Sequence, residues 1–240
     1  MFQRYFFFFI LFFTSLILSG CTKNFQSTLD SVKAARELSR APLITTAYID
    51  SLPFASSLVS INDGHQLLLI LGNVNINPKN HSYRLTWFAN DKGSITTENG
   101  RIVHTTGFDK NNLENMLSSN ILPSPQASIE WEAIYDWSPG YRYNFNAKVH
   151  SRLLGTETLT TERWTQSTNH IQETVKFTGL NSEFSNHYWV APDTNNTKAF
   201  VVKSIQYLGP QMDKVEMLMI KPFIEPKPEA TSKHSSKDAL

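Results

Sequence analysis

The chain has 240 residues, with 22 Lys and Arg against 21 Asp and Glu and a formal net charge of +1. That balance gives no basic excess to hold phosphate backbones, so nucleic acid is excluded as an expected partner. A single cysteine excludes internal disulfides and Cys-based metal sites, so stability has to come from ordinary packing.

The N-terminus has the three parts of an export signal. Arg4 and the free amine supply a small positive region, Tyr5 to Leu18 is almost unbroken apolar sequence, and small residues then precede Cys21. The apolar stretch is shorter than the roughly 20 residues a spanning helix needs. Leu18-Ser19-Gly20-Cys21 resembles the lipobox of bacterial lipoproteins. The resemblance implies cleavage before Cys21, a thioether-linked diacylglycerol on its Sγ, and acylation of the new amine. Three chains exceed the single chain that gives only marginal membrane binding. Thr22 stands where Asp favours inner-membrane retention in enteric-type bacteria, which implies an outer-membrane address with the body in the periplasm. Residues 1–20 are then a discarded signal peptide.

Phe25, Leu29, Val32, Ala35 and Leu38 recur at helical spacing, so residues 21–43 read as the lipidated cysteine, a tether and an amphipathic helix ending before Pro42. The helix either packs on the body or lies on the lipid surface. From about residue 44 the signal becomes strand and turn. Leu58–Ile61 and His65–Leu71 flank Asn62-Asp63-Gly64, and Ile95–Glu98 and Arg101–Thr105 flank Asn99-Gly100, both hairpin patterns. Arg84–Ala89 is a further strand, and Asn111–Leu117 reads as a short helix before Pro123 and Pro125.

The clearest pair follows. Ala127, Ile129, Trp131, Ala133, Tyr135 and Trp137 alternate with a mostly polar set, and after Ser138-Pro139-Gly140 so do Tyr141, Tyr143, Phe145, Ala147 and Val149. Such alternation predicts antiparallel strands with one dry and one wet face. Their length suits strong curvature. Further strands fit Thr156–Trp164, Ile171–Thr178, Ser185–Ala191, Lys198–Tyr207 and Val215–Ile220. Short connections make a meander the natural topology. The expected fold is mainly β: an antiparallel meander over residues 44–224, curved into a strongly bent sheet or half-barrel, with a short N-terminal helix. Residues 225–240, rich in Pro, Glu, Ser and Lys, read as a disordered tail.

Candidate chemistry is sparse. No nucleophile elbow, metal-type His pair on a helix or phosphate-cradling loop is present, so no cofactor and no metal is expected. The seven histidines read as scattered single residues, with His65, His104, His150 and His187 at strand ends or polar faces. Glycoside hydrolysis needs two carboxylates about 5–10 Å apart. Glu130 and Glu132 share one strand face and Asp136 follows, but the wet face of a sheet accounts for the first two. Asp136 reads better as an acceptor for turn amides. Aromatic rings are the stronger lead, because they cover the apolar faces of sugars while polar neighbours bond the hydroxyls. Trp131, Tyr135, Tyr141 and Tyr143 share the dry parity and read as core. Tyr188 and Trp189 point to opposite faces, so one must leave the core or enter a second one. Arg101 is either a surface residue or a buried ion-pair partner. Trp137, Tyr188, Trp189 and Arg101 are the candidate glycan or partner contacts.

The segment Trp87, Asp91, Thr97-Glu98-Asn99-Gly100-Arg101-Ile102-Val103, Thr106-Gly107-Phe108 and Asn112-Leu113 resembles the signature of the YjbF/GfcB lipoproteins. Leu52-Pro53-Phe54-Ala55-Ser56, Asp136-Trp137-Ser138-Pro139-Gly140, Asn186-His187-Tyr188-Trp189-Val190, Ser204-Ile205-Gln206, Gly209-Pro210 and Lys221-Pro222 fit the same pattern in order. Phe108 departs from it, since an aliphatic residue is usual after Thr-Gly. The resemblance implies an outer-membrane lipoprotein that serves exopolysaccharide or capsule production or export, with a curved antiparallel fold and no known catalytic activity. Its implied partners are outer-membrane lipid through acylated Cys21 and polysaccharide or polysaccharide-export proteins. Two alternatives stand beside this accessory role: a periplasmic polysaccharide-modifying enzyme using Asp/Glu residues, and a purely structural lipoprotein that stabilises an outer-membrane channel.

Overall fold

The computed structural model describes residues 46–90, 93–118, 120–161, 163–194 and 198–225. The signal peptide, Cys21, the helix expected over residues 25–38 and the tail from residue 226 lie outside the described residues.

A one-turn helix, α1 (Thr46–Ser51), comes first, where the sequence predicts strand and turn. It buries a single apolar side chain, Ile49, so it presents no period to read. The strands are β1 (Ser56–Ile61), β2 (Leu67–Ile76), β3 (Tyr83–Phe88), β4 (Ser94–Glu98), β5 (Arg101–Thr106) and β6 (Asn112–Ser118). They continue as β7 (Glu130–Ser138), β8 (Arg142–Thr160), β9 (Thr165–Phe177), β10 (Ser182–Ala191), β11 (Phe200–Tyr207) and β12 (Lys214–Lys221).

All ladders are antiparallel, in the order β5-β4-β3-β2-β1-β12-β11-β10-β9-β8-β7-β6. Every ladder joins strands consecutive in the chain except one. The exception is β1 with β12, in register from Ser57↔Met219 to Ile61↔Val215. The sheet's two edges, β5 and β6, lie side by side. Side chains bridge them: the Leu113 N–H donates to Thr105 Oγ1 at 2.9 Å, and His104 Nδ1 donates to the Glu114 carbonyl at 2.7 Å. The expected meander is present, and its curvature carries it past a half-barrel to a nearly closed barrel of twelve strands.

Turn chemistry places the hairpins. Asn99 and Gly100 take φ of 51° and 77°, the left-handed pair that a tight hairpin requires. At the β1–β2 turn, Asn62 and Asp63 carry the positive φ (51° and 59°) and the Gly64 N–H closes on the Ile61 carbonyl at 2.9 Å.

Three expectations change. Asn111–Leu117 is strand β6, not helix: a bulge between Leu113 and Asn115 lets Leu113 and Met116 both face inward, and that i, i+3 spacing imitates a helix. Thr156–Trp164 is no separate strand, because Thr156–Thr160 continues β8 through Gly155 and Trp164 lies in the following turn. Tyr141 and Tyr143 are exposed, at 100% and 56%, rather than core. Tyr141 sits in the turn before β8 begins. A bulge opposite Asp136, with Asn144 at φ 64°, breaks the alternation at Tyr143.

The interior is apolar and aromatic. Trp87, Val103, Leu113, Ala133, Tyr135, Trp137, Val149, Phe177 and Val215 are buried in one cluster. Tyr135, Trp137 and Phe177 meet with ring centroids 5.2–5.7 Å apart, the spacing of favourable edge and offset contacts. A second cluster of Trp189, Ala191 and Val202, with Leu159 and Trp164 against it, forms on the opposite face of β10 from Tyr188.

Candidate functional site

Strand parity puts several polar side chains inside the barrel. Glu173 alternates with Ile171, Val175 and Phe177, all buried. Arg101 begins β5 directly after the Asn99-Gly100 turn and is also buried. The two form a bidentate pair: Arg101 Nε donates to Glu173 Oε2 at 3.0 Å, and Nη2 to Oε1. Nη1 donates to the Pro123 carbonyl. Trp131 and Tyr188 place their rings 5.0 and 5.6 Å from the guanidinium, within cation–π range. Burial alone would lower the Arg101 pKa, but the charge and hydrogen bonds of Glu173 hold it above the ordinary arginine value. Burial and the Glu173 charge push the Tyr188 hydroxyl far up, so it stays neutral.

Gln206, from β11, extends this network across the barrel. Its Oε1 accepts from the Ile102 N–H at 2.9 Å and from Tyr188 Oη at 3.1 Å; its Nε2 donates to the Gly100 carbonyl at 3.0 Å and to Ser204 Oγ at 2.9 Å. Asn186 Oδ1 accepts from the Tyr207 N–H at 2.9 Å. The β4–β5 turn is thus held against β11. A Cβ added to Gly100 would lie 2.3 Å from Val201 Cγ2, so the approach needs glycine for space as well as for φ. The cavity left among Arg101, Trp131, Glu173, Tyr188 and Gln206 is about 10 Å³. That is about the space of one water, far less than a sugar ring.

Two more interior contacts have the same character. Glu98, nearly inaccessible, accepts from Asn77 Nδ2 at 2.9 Å, Asn80 Nδ2 at 2.9 Å, Ser82 Oγ at 2.5 Å and Arg84 Nε at 2.6 Å. Burial raises its pKa, but those bonds outweigh it and hold the carboxyl below the usual range. Trp137 donates its indole N–H to the Leu208 carbonyl at 2.6 Å. Gly209 follows, and a Cβ there would come within 2.9 Å of the Trp137 ring.

The opposite face of β9 and β10 carries a different group. Glu157 accepts from His170 Nδ1 at 2.6 Å and from Trp189 Nε1 at 2.7 Å. His170 Nε2 meets His187 Nδ1 at 2.9 Å. The His170 ring stacks on Trp189 at 4.3 Å and 16°, and Lys203 Nζ lies 5.0 Å from the indole. Hydrogen bonds from Trp189 and then His170 lower the Glu157 pKa against a small opposing burial effect. Burial, then the charges of His170 and Arg152, lower that of His187. His170 and His187 are therefore not isolated, contrary to the reading of scattered single histidines. Ladder register pairs His170 with Trp189 and Gln172 with His187, a relation between two strands that no single segment displays.

The candidate contacts Trp137, Tyr188, Trp189 and Arg101 are all buried, between 1% and 7% exposed. Three of them build the interior and Trp189 builds the second cluster, so none offers an open ring face or guanidinium from outside. Of the two readings for Arg101, the ion pair holds. Glu130 and Glu132 stand exposed on the wet face, with Glu130 3.2 Å from His150. Asp136 Oδ1 accepts the Asn144 N–H at 2.7 Å across the bulge, the turn-amide role expected of it. Glu173 and Glu157 were missed. Glu173 had a signal, because a carboxylate at an inward parity demands a buried partner; Glu157 had none.

Residues 22–220 match the family described as YjbF, group 4 capsule polysaccharide lipoprotein GfcB, YjbF. The chain is 27% identical to the uncharacterized lipoprotein GfcB of Escherichia coli K12 over 215 residues, covering 87% of this chain and 95% of GfcB. It is 22% identical to the uncharacterized lipoprotein YjbF of the same organism over 211 residues, covering 86% and 93%. Its fold is similar to the crystal structure of the hypothetical lipoprotein YmcC from E. coli K12, with a TM-score of 0.60 and 25% identity over 72% of this chain and 89% of that one. The residues that carried the resemblance are thus largely the ones that lock the barrel, and the chain belongs to the YjbF family of capsule polysaccharide lipoproteins.

Proposed function

We propose that the protein is a non-enzymatic accessory of exopolysaccharide or capsule production or export, anchored through acylated Cys21 at the periplasmic face of the outer membrane. The observation that carries this reading is the family match over residues 22–220, which begins directly after the lipobox cysteine. Geometry supports it in two ways. The family-like residues Arg101, Trp137, Tyr188 and Gln206 are engaged with one another or with backbone, which gives them a structural use. In addition, the chain enters the barrel at Ser56 and leaves it at Lys221, which pair with each other. A tether at that end presents the β7–β8 and β9–β10 turns at the other. Tyr141, Tyr143 and Leu180 are exposed there, and glycan or partner contact is assigned to this end.

Gene deletion with measurement of surface polysaccharide amount and chain length tests the pathway. Loss of polymer, restored by wild type but not by Cys21→Ser, is the expected result. Unchanged polymer in the deletion overturns the assignment. Tyr141→Ala with Tyr143→Ala at normal protein level then tests the contact; full polymer production would remove it. Labelling with palmitate tests the anchor, and equal label in Cys21→Ser would refute it.

A further inference from the structure

Strand β8 runs 19 residues, but its two neighbours do not both follow it. β7 accompanies it from Trp137↔Arg142 to Glu130↔His150, and Ser128 and Ile129 then bond the Ser151 backbone at 3.2 and 2.9 Å. β9 stays beside it to Thr160↔Thr165. From Arg152 to Thr160, therefore, one edge of β8 has no strand beside it among the described residues. Unpaired edges are templates for further strands, and proteins usually blunt them with Pro, Lys, bulges or shortness. This stretch has no Pro and no Lys. Its one bulge lies between Leu153 and Gly155, and beyond it the pairing of Gly155–Thr160 with β9 is regular. Leu153 and Leu154 are 49% and 45% exposed, and nothing lies within 4 Å of a Cβ placed on Gly155.

We infer that this edge pairs antiparallel with the same edge of a second copy of the chain, around a two-fold axis at Thr156. The strand is its own complement in that register. Thr156 meets Thr156, Leu153 meets Leu159 of the second copy, Gly155 meets Glu157 and Arg152 meets Thr160. Apolar residues face each other, and no like charges do. Such a contact is isologous, so it closes on itself as a dimer and leaves no further edge to propagate a fibre. Backbone hydrogen bonds supply most of the attraction. The edge alone belongs to the small, weak class of interfaces below about 1,200 Å². It therefore forms where copies are concentrated, as anchoring of both on one membrane would do. Only that last clause rests on the proposed lipid anchor.

The test places single cysteines at each position from Leu153 to Thr160 in the full chain. A short thiol-to-thiol cross-linker is added to membranes of the producing cells. Wild type, whose only cysteine is Cys21, sets the background, and exposed Asn75→Cys and Glu114→Cys serve as controls on other strands. A dimer band confined to Thr156→Cys, and lost on adding Leu153→Lys, is expected. A peak at another position within the stretch keeps the edge and moves the axis. No band, or an equal band at the controls, overturns the inference. If the protein fractionates as soluble, the anchor fails and the cross-linking pattern still judges the edge.

Discussion

Removing one member of the Arg101–Glu173 pair is the sharpest perturbation available to this fold. Both side chains are nearly inaccessible, at 2% and 1%, and the pair is bidentate with a further bond to the Pro123 carbonyl. Glu173→Leu leaves a buried guanidinium with no counter-charge, and Arg101→Met leaves a buried carboxylate. Breaking a buried pair on one side typically costs about 3–5 kcal/mol. For a domain of this size each kcal/mol lowers the melting temperature by roughly 2–4 °C, so each single variant should lose on the order of 6–20 °C. The double variant Arg101→Met with Glu173→Leu removes both charges and leaves only the Pro123 carbonyl without its donor. A lost partner of that kind costs about 1–3 kcal/mol, so the double variant should be more stable than either single one. Urea and thermal unfolding of the mature protein, followed by far-ultraviolet circular dichroism, measure all three. Single variants within about 1 kcal/mol of wild type would behave like a surface pair and refute the burial argument. A double variant no better than the worse single one would show that lost packing, not stranded charge, causes the damage.

Gly100→Ala puts a Cβ at φ 77° and 2.3 Å from Val201 Cγ2, so it should cost about 1–3 kcal/mol or more. Adding Val201→Ala should recover the steric part only, as read from urea midpoints. Trp137→Phe leaves the buried Leu208 carbonyl unbonded and should cost about 1–3 kcal/mol, with near-ultraviolet dichroism still native if the ring packing survives. The His187 pKa is lowered in the fold, so the native state binds its proton less readily than the unfolded chain. The stabilisation it gives is therefore present above the ordinary histidine value and is lost as pH falls through the depressed one. His187→Gln should flatten that acid-side loss, and an unchanged pH profile would refute it. Glu130→Gln and Glu132→Gln, exposed on the wet face, should leave polymer production intact; loss of polymer at normal protein level would revive the enzyme reading.

Much of the fold was legible because period-two alternation is a local signal. The β7–β8 hairpin, the Asn99-Gly100 turn and the meander order follow from neighbours in sequence. Failures came where a bulge altered the period. At β6 the bulge beside Glu114 brings Leu113 and Met116 to one face, and at β8 the bulge at Asn144 sends Tyr143 outward. The site was legible in its residues but not in their use. Arg101, Tyr188 and Trp137 were singled out as contacts, yet pairings over 71 and 72 positions, to Leu208 and Glu173, turn Trp137 and Arg101 inward. Glu157 and His170 come together only through register between strands, which no periodicity in one segment reveals.

The β1–β12 ladder has a consequence for how such a chain is made. It joins the first strand to the last, and every other ladder forms between consecutive strands. A chain emerging N-terminus first can therefore zip hairpin by hairpin, but β1 keeps a bare edge until Lys214–Lys221 arrives. Completion is controlled by the final tenth of the sequence. A chain truncated before β12 would hold two open edges, at β1 and β11, and would offer them to any other strand within reach. The natural break between β5 and β6 suggests the converse. Joining the ends of the barrel near Ser56 and Lys221 and opening the chain at the loop between β5 and β6 would turn the same structure into an unbroken meander, in which no ladder waits for a distant strand.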